Sequence, residues 1–123
     1  MLKSLLLVGT GGFLGSMARY AVAYTVGKIV STIFPLGTFL INIAGCFIIG
    51  LLYGLFQKEG NAQSGAWLIL ATGFCGGFTT FSAFALENVT LLKQQLNTTA
   101  ILYTAASVVI GLLLCKLGIT LTS

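Results

Sequence analysis

Charge is almost absent from this chain. Its only formally charged side chains are six Lys/Arg and two Glu among 123 residues, and it has neither Asp nor His. A soluble domain carries roughly a quarter charged residues; here the share is 7%. So few charges cannot cover a water-facing surface. With 57% apolar residues, nearly the whole chain belongs in or beside a lipid bilayer. Lipid leaves the backbone no water to bond with, so the expected fold class is an all-α integral membrane protein.

The same scarcity removes most enzyme chemistry. Without His or Asp there is no Ser-His-Asp triad, no Cys-His pair and no His-based metal site. The two carboxylates, Glu59 and Glu87, fall on different segments, Glu59 in a polar Gln57–Asn61 loop. The net charge of +4 comes from scattered cations with no cluster, which argues against nucleic acid. Three cysteines, Cys46, Cys75 and Cys115, lie in apolar runs and read as small packing residues, not disulfides.

A spanning helix needs about 20 mostly apolar residues. Breaks at Gly27–Pro35, Gln57–Ser64 and Lys93–Thr98 leave spans of about 4–26, 37–56, 65–91 and 99–119. Residues 1–123 form a single four-helix transmembrane domain on this reading. The opening Met1-Leu2-Lys3 followed by Leu5–Val8 resembles a signal peptide. No A-x-A-like site follows, so it reads as a retained first span. Four short helices enclose little volume, and a path through them calls for an oligomer.

With four spans, Lys3, Lys58 and Lys116 share one side of the membrane and Lys28 and Lys93 the other. That is almost no positive-inside bias. A chain without preference should insert both ways, and two copies could then meet as an antiparallel dual-topology dimer; in a chain with so few charges the balance could also arise by chance. Each span also carries small residues four apart: Gly11/Gly15, Gly50/Gly54, Gly73/Gly77 and Ser107/Gly111. Such pairs let helix backbones approach closely in lipid.

Polar residues inside the spans are informative because each needs a partner or a wet cavity. Arg19 lies about nine residues before Lys28, roughly 13 Å inward along a helix. It either snorkels to the interface or faces an aqueous vestibule where its charge attracts anions. Asn42, with Thr38 on the same face at i−4, supplies amide donors either to a neighbouring helix or to a path. In Gly73–Phe84, Gly76-Gly77 precedes Thr79-Thr80 mid-span. Glycine pairs and β-branched residues make poor helix, so the third helix is expected to break there. The freed backbone groups must then line a cavity or bind an ion, and carbonyls suit a small cation such as Na⁺. Phe81 and Phe84 share a face beyond the break and would present positive ring edges. Tyr103 and Ser107, at i and i+4 on the last span, would add hydroxyls. Glu87 would pair with Arg19 or with interfacial water. Donors dominate this set and only one carboxylate is available, which favours a small anion.

Three blocks carry a resemblance. Gly-Gly-x-x-Gly-Ser-x-x-Arg-Tyr (11–20), Gly-Thr-x-x-x-Asn-x-x-Gly (37–45) and Gly-x-x-Gly-Gly-Phe-Thr-Thr-Phe-Ser-x-Phe-x-x-Glu (73–87) resemble the CrcB/Fluc fluoride channel family over all four spans. The resemblance implies a dual-topology antiparallel homodimer, or a paralogue heterodimer, with two pores. Such a channel passes fluoride passively, excludes chloride, and lowers cytoplasmic fluoride in a prokaryotic cell membrane. It implies that Phe81 and Phe84 coordinate fluoride, Asn42 is the pore amide, and Thr38 lines the path. Arg19 would sit in the vestibule, and Tyr103 and Ser107 would continue a polar track. Carbonyls of Gly76 and Thr79 from both subunits would hold a structural Na⁺. Thr80, Ser82 and Glu87 join the polar track or serve structure. Val109 and Gly111 lack the hydroxyls that often extend that track, and Ala83 replaces a common Thr or Ser.

Two other classes compete. A small dual-topology multidrug exporter needs a membrane-embedded Glu in its first span, where this chain has Arg19 and no carboxylate. A structural membrane assembly protein would use Asn42, Thr79 and Thr80 as interhelical glue, which leaves the Gly-Gly break beside paired Phe residues without a purpose.

Overall fold

Two helix pairs, each seamed by glycines, build the molecule. A computed structural model of the chain describes every residue except Glu59, Asn61, Ala62 and Gln63. Helix α1 covers Leu2–Ile29 and α2 covers Leu36–Lys58. The third span starts as a single turn, α3 (Gly65–Trp67), and widens into a π-helix over Leu68–Cys75. It returns to α geometry as α4 (Gly76–Phe78), breaks, and resumes as α5 (Phe81–Lys93). Helix α6 covers Asn97–Thr122. Among the described residues there is no strand, and four segments are long and apolar enough to cross a membrane: Leu2–Ile29, Leu36–Lys58, Gly65–Lys93 and Asn97–Thr122. The expected all-α membrane class holds, with a broken third helix. Apart from the start of the third span at Gly65, the helices run one to three residues past the ends expected from hydropathy. The Glu59 loop position lies outside the described residues.

The first pair is α1 against the π-helix and α4. Gly15 of α1 lies so close to the Phe74 carbonyl that a Cβ would overlap it, and Gly73 meets the Val8 carbonyl and Gly11. The second pair is α2 against α6, where Gly50 faces the Cys115 carbonyl and Gly118 faces that of Phe47. Backbones this close gain dispersion contacts that lipid tails cannot supply. Three of the four small-residue pairs read from sequence line these seams. The fourth contributes only Gly111, against the Cys46 sulfur.

Helices α5 and α6 are joined by a tight turn in which Gln95 takes a left-handed φ of 60°. Leu91, Ala100 and Tyr103 are buried there, with Phe34, Phe39, Phe84 and Leu96 packed around them. Large apolar residues elsewhere face outward, as in Phe13, Ile101 and Leu112. That pattern is ordinary for surface covered by lipid or by another membrane chain. The cysteines are free.

Candidate functional site

The site is built by the break. Thr79 and Thr80 are extended, with φ/ψ of −83°/159° and −149°/122°. Two extended residues inside a span free backbone groups that a continuous helix would pair, and each must go somewhere. The Thr80 N–H, which a helix would aim at the Gly76 carbonyl, donates instead to Asn42 Oδ1 at 2.8 Å. Asn42 Nδ2 donates back to the Thr80 carbonyl at 3.0 Å. A side-chain amide has the same donor and acceptor as a peptide, so Asn42 pairs with Thr80 as a neighbouring strand would. An Asn amide carries two N–H donors. Among the described residues one is used, and the second remains for another acceptor.

The remaining groups follow the same accounting. The Ala83 N–H, which a helix would aim at the Thr79 carbonyl, donates to Thr80 Oγ1 at 3.2 Å, so Thr80 is the N-cap of α5. Thr79 donates both its N–H and its hydroxyl to the Cys75 carbonyl, at 3.0 and 2.9 Å. Arg19 Nε donates to the Gly77 carbonyl at 3.0 Å. The carbonyls of Gly76 and Thr79 therefore lose their helical donors, and these are the two oxygens expected to suit a hard cation. Neutral carbonyl oxygens fit Na⁺ chemically. Two from one chain fall short of a coordination shell, and a second copy would double them. Gly76 has open space around its Cα and is exposed.

Asn42, Gly76, Thr79, Thr80 and Phe81 line one open groove of about 430 Å³, and among the described residues no formal charge lines it. Phe81 is 79% exposed. Its ring centroid is 5.8 Å from that of Phe84. Phe84 is half-buried and packs on Tyr103, at 5.1 Å. Phe84 borders a different groove, between α5 and α6. Ser82 approaches the Thr80 hydroxyl at 3.3 Å.

Glu87 forms a second centre. Its Oε2 accepts from the Thr38 hydroxyl and its Oε1 from the Tyr103 hydroxyl, both at 2.8 Å. Tyr103 is completely buried and meets the Phe34 ring edge-on at 5.4 Å. Of the two partners the sequence left open for Glu87, Arg19 is not one it meets. Arg19 extends from α1 to α4, before the break, while Glu87 lies on α5 and faces α2 and α6. A hydroxyl has one proton, so Thr38 and Tyr103 have theirs committed to this carboxylate. The Ser107 hydroxyl is buried and, among the described residues, has no hydrogen-bond partner.

One polar pair escaped the sequence reading. Asn88 Nδ2 donates to the Phe84 carbonyl at 3.0 Å, and the Thr104 hydroxyl donates to Asn88 Oδ1 at 2.9 Å. The available signal was an amide inside a span, seven residues beyond Phe81 and so on nearly the same helix face.

Comparison with known proteins gives the family. The family described as CrcB-like protein, Camphor Resistance (CrcB) matches residues 6–119. A relative from Azobacteroides pseudotrichonymphae, named Fluoride-specific ion channel FluC, is 43% identical over 99% of this chain and 98% of its own length. Relatives of the same name from Flavobacterium psychrophilum and Methylobacillus flagellatus are 42% and 45% identical. They are aligned over 96% and 94% of this chain and over 95% and 91% of their own lengths. The matched region takes in all four spans and the break with its polar partners, and the chain belongs to the CrcB family.

Proposed function

We propose that this chain is a passive, fluoride-selective channel of a prokaryotic cell membrane, made of two copies in opposite orientations with two pores. The carrying observation is Asn42. Its amide is locked across the break by two bonds to Thr80, which fixes the direction of its spare N–H beside Phe81 in an uncharged groove. A preorganised neutral donor can replace part of the water around a small anion without trapping it as a full charge would.

The other roles follow from chemistry. Phe81 and Phe84 offer positively polarised ring edges, and the exposure of Phe81 leaves its edge free for an ion or a second copy. Arg19 has five N–H donors; with Nε on Gly77, its terminal nitrogens remain to raise anion concentration in the vestibule. Ser107 supplies a hydroxyl that has no competing partner among the described residues. Thr38 and Tyr103 reach a passing anion only by leaving Glu87, so the carboxylate regulates how strongly the path donates. Gly76 and Thr79 carbonyls from two copies would hold a structural Na⁺, joining the copies at their centre. The near-equal split of lysines between the two sides supports insertion in both orientations. Expression in a bacterium lacking fluoride export should restore growth in toxic fluoride, and the variant Phe81→Ile should not. Equal growth of cells with and without the chain would refute the proposal.

A further inference from the structure

Helix α5 carries Phe84 but is cut off from the rest of its span by the extended residues Thr79 and Thr80. No continuous helix fixes its rotation or height, so its contacts across the bundle must do so. Two consecutive residues of α5 bond two consecutive residues of α6: Glu87 with Tyr103, and Asn88 with Thr104. On a helix with 3.6 residues per turn, Glu87 points about 60° to one side of Phe84 and Asn88 about 40° to the other. The two bonds therefore flank the Phe84 ring. Asn88 is tied to that residue directly as well, because its Nδ2 donates to the Phe84 carbonyl.

We propose that Asn88, held by Thr104, is a positioning residue for Phe84. The Asn42 bonds to Thr80 hold the start of α5, and the Thr38 and Tyr103 bonds to Glu87 hold one side of Phe84; the Asn88–Thr104 bond adds the hold on the other side. The demand for accuracy is high. A side-chain tip stands about 5–6 Å from a helix axis, so a 15° rotation of α5 moves the ring edge by about 1.5 Å. An ion-coordinating group must be held within about 0.5 Å. Membrane surroundings favour the device, since an Asn amide facing lipid without partners would be costly. Asn88 is half-buried and Thr104 exposed in the groove that Phe84 borders, so both can be changed without emptying the core.

The inference rests on the channel reading, and one set of liposome measurements separates the two. Fluoride and chloride efflux are compared for the parent chain, Asn88→Leu, Thr104→Val, Thr104→Ser and the double variant Asn88→Leu/Thr104→Val. The expected result is a fluoride efflux rate about tenfold lower for Asn88→Leu and for Thr104→Val, with a smaller fluoride-to-chloride ratio. Thr104→Ser keeps the hydroxyl and should match the parent. The double variant should be no worse than either single one, because both remove the same brace. Should Asn88→Leu fail to fold, Thr104→Val on the exposed face carries the test. Parent-like flux and ratio in Thr104→Val would overturn the inference alone, as would a loss of flux at unchanged ratio or a Thr104→Ser as poor as Thr104→Val. A parent chain that passes no fluoride would overturn the inference and the channel reading together.

Discussion

Replacing Asn42 with Leu should unfasten the helix break. Two hydrogen bonds, at 2.8 and 3.0 Å, tie the Asn42 side chain to the Thr80 N–H and carbonyl. Leucine fills similar space but leaves both backbone groups without partners at bilayer depth. An orphaned buried polar group costs about 1–3 kcal/mol, so the pair predicts a loss of about 2–6 kcal/mol. Asn42→Asp keeps the shape of the residue but loses its donors. An aspartate oxygen still accepts from the Thr80 N–H, but its second oxygen replaces the donor facing the Thr80 carbonyl, so its stability cost should be at least as large as that of Asn42→Leu. Conduction should also vanish, because the spare donor becomes a negative oxygen. Thermal unfolding in detergent, amide exchange at Thr80 and fluoride efflux together read these effects. At about 2–8 °C per kcal/mol, Asn42→Leu should melt many degrees lower, with Thr80 exchange accelerated. A melting point within a degree of the parent and an unchanged Thr80 exchange rate would refute the reasoning.

Further outcomes follow from other contacts. Gly15→Ala would push a Cβ into the Phe74 carbonyl and should destabilise by about 1–3 kcal/mol, while Gly9→Ala, with open space around it, should melt like the parent. Phe81→Ile should leave the melting point nearly unchanged because the ring is 79% exposed, yet lower fluoride flux; unaltered flux would mean the ring only packs. Tyr103→Phe removes one of two donors to Glu87 and should cost about 1–3 kcal/mol in thermal unfolding. A C-terminal tag probed in intact and inverted vesicles should be accessible on both sides in similar amounts, and a single-sided result would contradict dual topology.

The membrane class, the helix break and the close glycine seams were legible because each depends on local composition. Scarce charge, Gly-Gly followed by Thr-Thr, and small residues four apart each act through neighbours in sequence. What the polar side chains bond to was not legible. Arg19 finds the Gly77 carbonyl, and Glu87 finds Thr38 and Tyr103, across sequence separations of 58, 49 and 16 residues. Those partners depend on which helices touch and in what rotation, and hydropathy carries neither. The π-helix at Leu68–Cys75 was hidden as well, since its apolar residues read as plain helix. Asn88 went unnoticed beside Glu87, although an amide in a span always needs a partner.

The central claim is selective passage of fluoride through the chain itself. The purified protein is reconstituted in liposomes loaded with KF or with KCl, and anion efflux is recorded after valinomycin releases the potassium. Rapid fluoride release with chloride retained is the predicted result. Absence of fluoride release, or chloride release at an equal rate, would contradict the account.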